Sequence, residues 1–289
     1  MTPGKMNLPP LHDAADSASL SGQRLYLWLL RAQIAFPLAS AITVLFLTDK
    51  TGALTLVLLF VLGLAASVYM QVHRPEADWF DGRVLAESMK TIAWRFAMKV
   101  PPYSSAKTES QAIGEVNKRV ADLISERKKM SGVIAAHGAG AQVTDAMKQL
   151  RNLPWTDRRP IYVSERLDDQ LAWYRNRAGQ NAKLAGRWLL LVSLLQLIGL
   201  VLAILRSADV VTINLFGVLG AAIGAALAWL QAKRHQDLSR SYGFAALELG
   251  LIHGRSDLPT TEDEFVKFVE DSEEAMSREH TAWHANRLQ

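Results

Sequence analysis

The chain has 289 residues, a formal net charge of +4 and no cysteine, and 49% of its residues are hydrophobic. Without cysteine the protein has neither a disulfide framework nor a thiolate metal site. The small positive charge comes mainly from Arg and Lys at the ends of apolar runs, which favours contact with lipid headgroups over nucleic-acid binding.

The N-terminal segment has the composition of a flexible tail. Residues 1–22 contain several Pro, Ser, Asp and Gly residues and show no sustained periodicity. Such a composition predicts a mobile leader over residues 1–22. The first apolar run begins too far from Met1 to belong to an ordinary cleaved signal peptide. We therefore expect this run to remain in the protein as a membrane anchor.

Four long runs without a charged side chain follow, at residues 32–48, 51–72, 188–205 and 210–232. Each run has about 17 to 23 residues, the length at which an α-helix crosses roughly 30 Å of hydrocarbon. A helix of this length in a soluble core would show a polar stripe, and these runs show none. The sequence therefore predicts an all-α integral membrane protein with two transmembrane helical hairpins, that is, four spanning helices.

Basic residues flank the outer ends of both hairpins, whereas the loop inside each hairpin carries few of them. The flanking residues are Arg24, Arg31, His73, Arg74, Lys183, Arg187, Lys233 and Arg234. By the positive-inside rule, the two loops face away from the cytoplasm. We therefore expect both termini and the middle segment to be cytoplasmic.

Between and after the hairpins, apolar residues recur at helical spacing. The stripe Leu85–Phe96 predicts a helix that ends before Pro101, and a second amphipathic helix is predicted over Ile113–Ile134. A short helix is expected over Thr144–Leu153. These segments predict a cytoplasmic helical bundle into which the hairpins extend.

The second half of the chain has clearer start signals for its helices. Pro160 fits the first turn of a long helix, which we expect to run unbroken into the third span. The fourth span is expected to continue without interruption to Gly254. Thr261 and Glu264 have the spacing of a capping box, which predicts the start of a final helix. One side of that helix carries Phe265, Phe268, Val269, Met276 and Trp283.

The two hairpins look like copies of one unit. The second span exits through Met70–Arg74 and the fourth through Leu230–Arg234, and both segments end in a basic pair preceded by Gln. Further along, Glu87 in the first copy corresponds to Glu248 in the second. The predicted domains are a leader at 1–22, a first two-transmembrane domain at 23–157 and a second at 158–289.

Small residues leave the fourth span with a nearly bare face. Gly217, Gly220 and Gly224 lie on it, and the last two have the spacing that lets helix backbones approach closely. Two interpretations are open. The face contacts another copy of the chain or lines a pore, or it packs against the third span of the same chain, where Gly199 offers a partner.

Few polar side chains lie inside the spans. Gln33 and Gln196 lie in the first and third runs, and Asn214 lies near the start of the fourth. Such amides usually bond to a neighbouring helix, and a water-filled path is the alternative. No ionisable residue lies at the centre of a span, which argues against proton-coupled transport and voltage sensing.

Glu87 and Glu248 lie on otherwise apolar helices. Buried pairing with Arg or Lys is the simpler interpretation, and a gating contact is the second. Neither a nucleophile elbow nor a zincin signature occurs in the sequence. We therefore predict no enzymatic activity, no cofactor and no metal site.

Three segments resemble the motifs of one family. Trp79–Thr91 resembles the post-membrane motif of the SLATT proteins, the SMODS- and SLOG-associating two-transmembrane effector domains. Arg166–Tyr174 looks like the lead-in motif of a second such domain, and Ser277–Trp283 is similar to the C-terminal helix of the family. The resemblance covers nearly the whole chain beyond the leader and implies two tandem copies.

This resemblance implies a pore-forming or membrane-disrupting effector of a prokaryotic conflict system, placed in the bacterial inner membrane. The expected partners are the lipid bilayer, further copies of the chain, and an upstream nucleotide-signal sensor or signalling ligand, with no nucleic acid among them. Two alternatives are open. The protein is a constitutive channel or small-solute transporter, or it is a non-conducting scaffold that recruits cytoplasmic partners.

The positive-inside rule predicts that Asp49 and Asp209 face the periplasm, while Glu165 and Glu262 face the cytoplasm. Because the chain has no cysteine of its own, single cysteines at these positions can be labelled with a membrane-impermeant thiol reagent in intact cells. We expect labelling of Asp49→Cys and none of Glu165→Cys. The opposite pattern would reverse the topology.

Overall fold

The structure is a computed structural model that describes residues 6–104, 107–126, 138 and 140–285, with side chains as far as residue 277. All secondary structure in these residues is helical, which confirms the predicted all-α fold. The helices are α1 (Pro10–Phe46), α2 (Lys50–His73), α3 (Pro75–Ala97), α4 (Glu109–Glu126), α5 (Asp145–Arg151), α6 (Trp155–Tyr162), α7 (Asp168–Ser207), α8 (Phe216–Lys233), α9 (His235–His253) and α10 (Glu262–Ala285). A π-helical turn at Val163–Leu167 joins α6 to α7.

The chain forms two compact units, and each unit gathers segments that are far apart in sequence. The core unit comprises Met1–Gln23, Glu76–Arg177 and Ser241–Gln289, and the span unit comprises Arg24–Pro75 and Ala178–Arg240. Both sequence copies contribute to both units. The packing therefore crosses the predicted boundary between residues 157 and 158, which marks a sequence repeat rather than a division between compact units.

Four helical stretches are long and apolar enough to cross a membrane, namely Pro10–Phe46, Lys50–Ala97, Trp155–Ser207 and Phe216–His253. In the most apolar window of each, at most 11% of the residues are buried. Apolar side chains of the span unit are instead exposed, as Phe60 and Leu190 show. Because apolar surface in water costs about 25 cal/mol per Å², this surface fits hydrocarbon. The prediction of four spanning helices is confirmed.

The prediction of a mobile leader is wrong from Pro10 onward, because α1 begins there and its first turns belong to the core unit. Ala15 is fully buried, and the Ser19 hydroxyl donates a 2.9 Å hydrogen bond to the carbonyl of Trp79. A β-carbon at Gly82 would lie 2.8 Å from the Ser19 nitrogen and 2.9 Å from the Ala15 carbonyl oxygen. Small residues on both helices thus let the start of α1 lie against α3.

The helices between the hairpins largely follow the predicted order. α3 ends before Pro101, and the hydroxyl of Thr144 caps α5 by accepting a 3.3 Å hydrogen bond from the Met147 N–H. Both features confirm predicted helix boundaries. α4 is described as far as Glu126, so its predicted continuation to Ile134 lies outside the described residues.

The last helix begins where its capping signal predicts. The Thr261 hydroxyl accepts a 3.3 Å hydrogen bond from the Glu264 N–H, and α10 starts at Glu262. The predicted apolar stripe is buried at Phe265, Phe268, Val269 and Met276. The side chain of Trp283 lies outside the described residues.

The long helix of the second half starts earlier than predicted. It begins at Trp155 and runs to Ser207, so its unbroken passage into the third span is confirmed. Pro160 lies inside α6 rather than in the first turn, and the prediction of a helix start there is wrong. Proline disrupts the hydrogen bonding of the preceding helical turn. The π-helical turn follows within three residues, and in it the Asp168 N–H bonds to the carbonyl of Val163.

The second and fourth spans end at matched left-handed arginines. Arg74 has φ 47° and ψ 55°, and Arg234 has φ 48° and ψ 41°. The N–H groups of these arginines bond to the carbonyls of Met70 and Leu230, respectively. α3 and α9 start at the next residue, so the expectation of an uninterrupted continuation is corrected by a one-residue break in each copy. A left-handed residue with a β-carbon costs about 1 to 2 kcal/mol, and its recurrence supports the repeat.

We expect Gly82→Ala to destabilise the protein by about 1 to 3 kcal/mol, because the new methyl group would overlap the backbone of α1. Gly114→Ala on α4 is the matched control, since an added β-carbon there meets no atom within 4 Å. Alanine should stabilise that helix by about 0.5 to 1 kcal/mol. Thermal unfolding in detergent measures both. Equal midpoints for the two variants would show that α1 does not need the close approach.

Candidate functional site

The glycines of α8 face open space within the part of the chain that the structure describes. A β-carbon added at Gly217, Gly220 or Gly224 would meet no atom of the described residues within 4 Å, and the same holds at Gly199 on α7. Two helices in close backbone contact would place atoms of the partner within that distance. The interpretation in which this face packs against the third span is therefore not what the structure shows. Contact between copies stays a prediction.

The amide of Gln33 is bonded within the first hairpin. Its Nε2 donates a 3.2 Å hydrogen bond to the Ser67 hydroxyl, which in turn donates a 3.0 Å bond to the carbonyl of Gly63. A β-carbon at Gly63 would lie 3.7 Å from the Phe36 ring, at ordinary contact distance. α1 and α2 thus satisfy their own polar group inside the span unit.

The other two predicted amides behave differently. Asn214 precedes α8, and its side-chain oxygen accepts a 3.4 Å hydrogen bond from the Phe216 N–H, so it bonds at the start of its own helix. Gln196 is exposed near the middle of the run 188–205, and no residue that the structure describes accepts or donates a hydrogen bond to its amide. An unpaired amide in hydrocarbon costs several kcal/mol. A hydrogen bond between Gln196 and a neighbouring helix therefore stays a prediction.

Glu87 is buried in the core unit between two cations. One of its oxygens lies 2.8 Å from Nη2 of Arg83, and the other lies 3.4 Å from Nζ of Lys90. This arrangement matches the simpler interpretation, which is ion pairing on α3. Glu248, at the corresponding place on α9, is only half-buried. The two repeat positions therefore differ in environment.

A buried ionic cluster lies in the same unit. Nε and Nη2 of Arg166 each donate a 2.8 Å hydrogen bond to the carboxylate of Glu273, which also accepts a 3.1 Å bond from the Tyr162 hydroxyl. Burial alone would lower the pKa of Arg166, but the Glu273 carboxylate outweighs it and raises that pKa. Burial, followed by the Glu273 charge, raises the pKa of Tyr162 well above its ordinary value. The Glu273 carboxylate therefore favours the charged form of Arg166.

Two further buried arginines hold the C-terminal end of α3. Arg151 donates a 2.7 Å hydrogen bond to the carbonyl of Phe96, and Arg158 donates a 2.8 Å bond to the carbonyl of Met98 and pairs with Glu262. Cations at this end of a helix satisfy its free carbonyls and oppose its dipole. Neither arginine is among the site residues predicted from the sequence, and their seven-residue spacing, about two helical turns, is the signal that indicates them.

A cavity of about 640 Å³ opens in the core unit between α3 and α4. Glu87 and Arg95 of α3 line it together with Lys118 and Arg119 of α4. The volume suits a small molecule, and the lining presents charges of both signs. No group of His, Asp and Glu side chains in the described part of the chain is arranged to hold a metal ion.

Comparison with known families gives two matches in tandem. The family model described as SMODS and SLOG-associating 2TM effector domain 3 matches residues 9–159, and the one described as SMODS and SLOG-associating 2TM effector domain 1 matches residues 162–283. Together they span nearly the whole chain, which confirms the predicted family and its two copies. No curated protein and no solved structure matches this chain.

If the open face of α8 contacts a second copy, Gly220→Leu should disrupt the assembly, because a bulky side chain holds the backbones apart. Val61→Leu on α2 is a control that adds bulk to a side chain already exposed in the span unit. The observable is the oligomer mass in nanodiscs. An unchanged mass for Gly220→Leu with normal expression would exclude the glycines from the contact.

Proposed function

We propose that this chain, which belongs to the SLATT family of SMODS and SLOG-associating two-transmembrane effector domains, permeabilises the bacterial inner membrane when an upstream signal reaches it. SLATT domains are membrane effectors associated with prokaryotic conflict and defence systems. The observation that carries the proposal is the set of four apolar helices with exposed apolar surface. Such helices lie in the bilayer, and the bilayer is therefore the target of the effector.

Assembly of several copies is the second part of the proposal. The spanning runs contain no charged side chain, and Gln33 is already bonded within the first hairpin. A single chain therefore offers little polar lining for a water-filled path. The open glycine face of α8 and the exposed amide of Gln196 supply surfaces through which copies can meet. Assembly would then create the permeable state, and no chemical reaction is required.

The core unit, which we place on the cytoplasmic side, receives the signal. α3 follows the second span after the single residue Arg74, and Arg151 and Arg158 fix its far end. Glu87 lies between these two ends of α3 and is buried beside the cavity that α3 and α4 line. A ligand or sensor protein that changes the contacts of Glu87 would change the position of α3. We propose that these Glu87 contacts keep the protein in its impermeable state until the signal arrives.

Removal of the Glu87 carboxylate should change how readily the membrane depolarises, because Arg83 and Lys90 lose their shared buried partner. We expect a larger effect for Glu87→Ala than for Glu248→Ala, whose side chain is only half-buried. Glu109→Ala, at an exposed position on α4, is the control. Growth and a potential-sensitive dye measure the effect under induced expression.

Membrane insertion of each variant is checked by fractionation, so that loss of the protein is not taken for loss of activity. If wild type and all variants leave the membrane potential intact, even beside their native genomic neighbours, the pore proposal fails. The scaffold alternative then takes its place.

A further inference from the structure

The exposed surface of α7 has two sides of different composition. Within the run 188–205, one side carries only large aliphatic residues, namely Leu190, Leu194, Leu197, Ile198, Val201 and Ile204. The other side, which we name the α7 seam, consists of Leu189, Ser193, Gln196, Leu200 and Ala203, all exposed. The two sides point in different directions around the helix because of its 3.6-residue period.

The spacing of the α7 seam is that of a helix–helix contact. Its residues follow one another in steps of four, three, four and three, which is the heptad pattern with which two helices pack side by side. Small and polar residues are enriched where spanning helices meet, whereas large aliphatic residues suit lipid. The aliphatic side of α7 therefore fits hydrocarbon, and the seam fits another helix.

Gln196 lies at the centre of the seam and identifies what that helix must supply. The lipid tails around a span offer no hydrogen-bond donor or acceptor. Within the part of the chain that the structure describes, the Gln196 amide has no hydrogen-bond partner. An amide carries both donors and an acceptor, so a second amide at the same depth is complementary to it.

We propose that the α7 seam binds the α7 seam of a second copy of this chain, with the two Gln196 amides hydrogen-bonded to each other. Copies inserted in one orientation carry equal residues at equal depth. A two-fold axis along the membrane normal therefore brings Gln196 to Gln196 without any shift. A single polar residue in such a seam also fixes the register of the two helices.

This contact rests on the proposed function and deepens it, since it names the surface through which copies first meet. A two-fold contact alone closes at a dimer. Growth to a larger assembly needs a second surface, and the open glycine face of α8 is available for that purpose.

Disulfide cross-linking in native membranes tests the seam directly, because the chain has no cysteine to interfere. We expect single cysteines at Ser193 and Leu200 to give disulfide-linked dimers. Matched cysteines at Leu197 and Val201, on the aliphatic side, should remain monomeric. Equal cross-linking on both sides, or a cross-link to a different protein instead of a dimer, would overturn the proposal.

Substitution of the amide gives an independent measurement. We expect Gln196→Leu to raise the dimer dissociation constant about 3- to 30-fold, the range expected for one interhelical hydrogen bond. Gln33→Leu is the matched control, because its amide is bonded to Ser67 of the same chain. An equal effect of both variants, or no effect of Gln196→Leu, would contradict the role of the amide.

Dimer formation and membrane depolarisation are measured separately, so the two proposals can fail separately. Seam dimers in a protein that never depolarises the membrane would support the α7 contact and contradict the pore proposal. Depolarisation by a protein whose seam cysteines never cross-link would overturn the contact and leave the pore in place.

Discussion

Hydrocarbon accepts no unpaired polar group, and this constraint governs most of the structure. Backbone N–H and C=O groups can be satisfied there only inside helices, so each apolar run forms one. Charged side chains lie outside the four apolar runs. Each polar side chain that remains in a span must find a partner. Gln33 finds Ser67 within the chain, whereas Gln196 is left exposed.

The core unit is under a different constraint, because it buries charged side chains inside a helical bundle. Removing one member of a buried pair leaves an uncompensated charge, at a cost of about 3 to 5 kcal/mol. Arg166 avoids this through two hydrogen bonds to Glu273. Arg151 and Arg158 donate hydrogen bonds to the free carbonyls at the end of α3, and Arg158 also pairs with Glu262. The bundle is therefore held by directional contacts, which fix the position of α3 more closely than apolar packing alone would.

The sequence predicts the spans well because length and composition alone decide them. Short-range signals mislead where tertiary contacts dominate. The Pro- and Ser-rich start of α1 lacks a strong periodic pattern, yet burial of Ala15 against Gly82 makes it helical. Proline favours the first turn of a helix, so Pro160 predicts a helix start. The helix begins earlier, at Trp155, and a π-helical turn follows Pro160. The left-handed turn at Arg74 has no local signal, since glycine is the residue that favours it.

The duplicated hairpins differ in the polar and small residues that each leaves exposed. In the first hairpin Gln33 is bonded to Ser67, and α1 and α2 are in contact at Gly63. In the second hairpin Gln196 is exposed, and Gly220 lies in open space. Under the proposed contact, the second hairpin presents its amide and its small residues to another spanning helix, whereas the first hairpin bonds its amide within the chain.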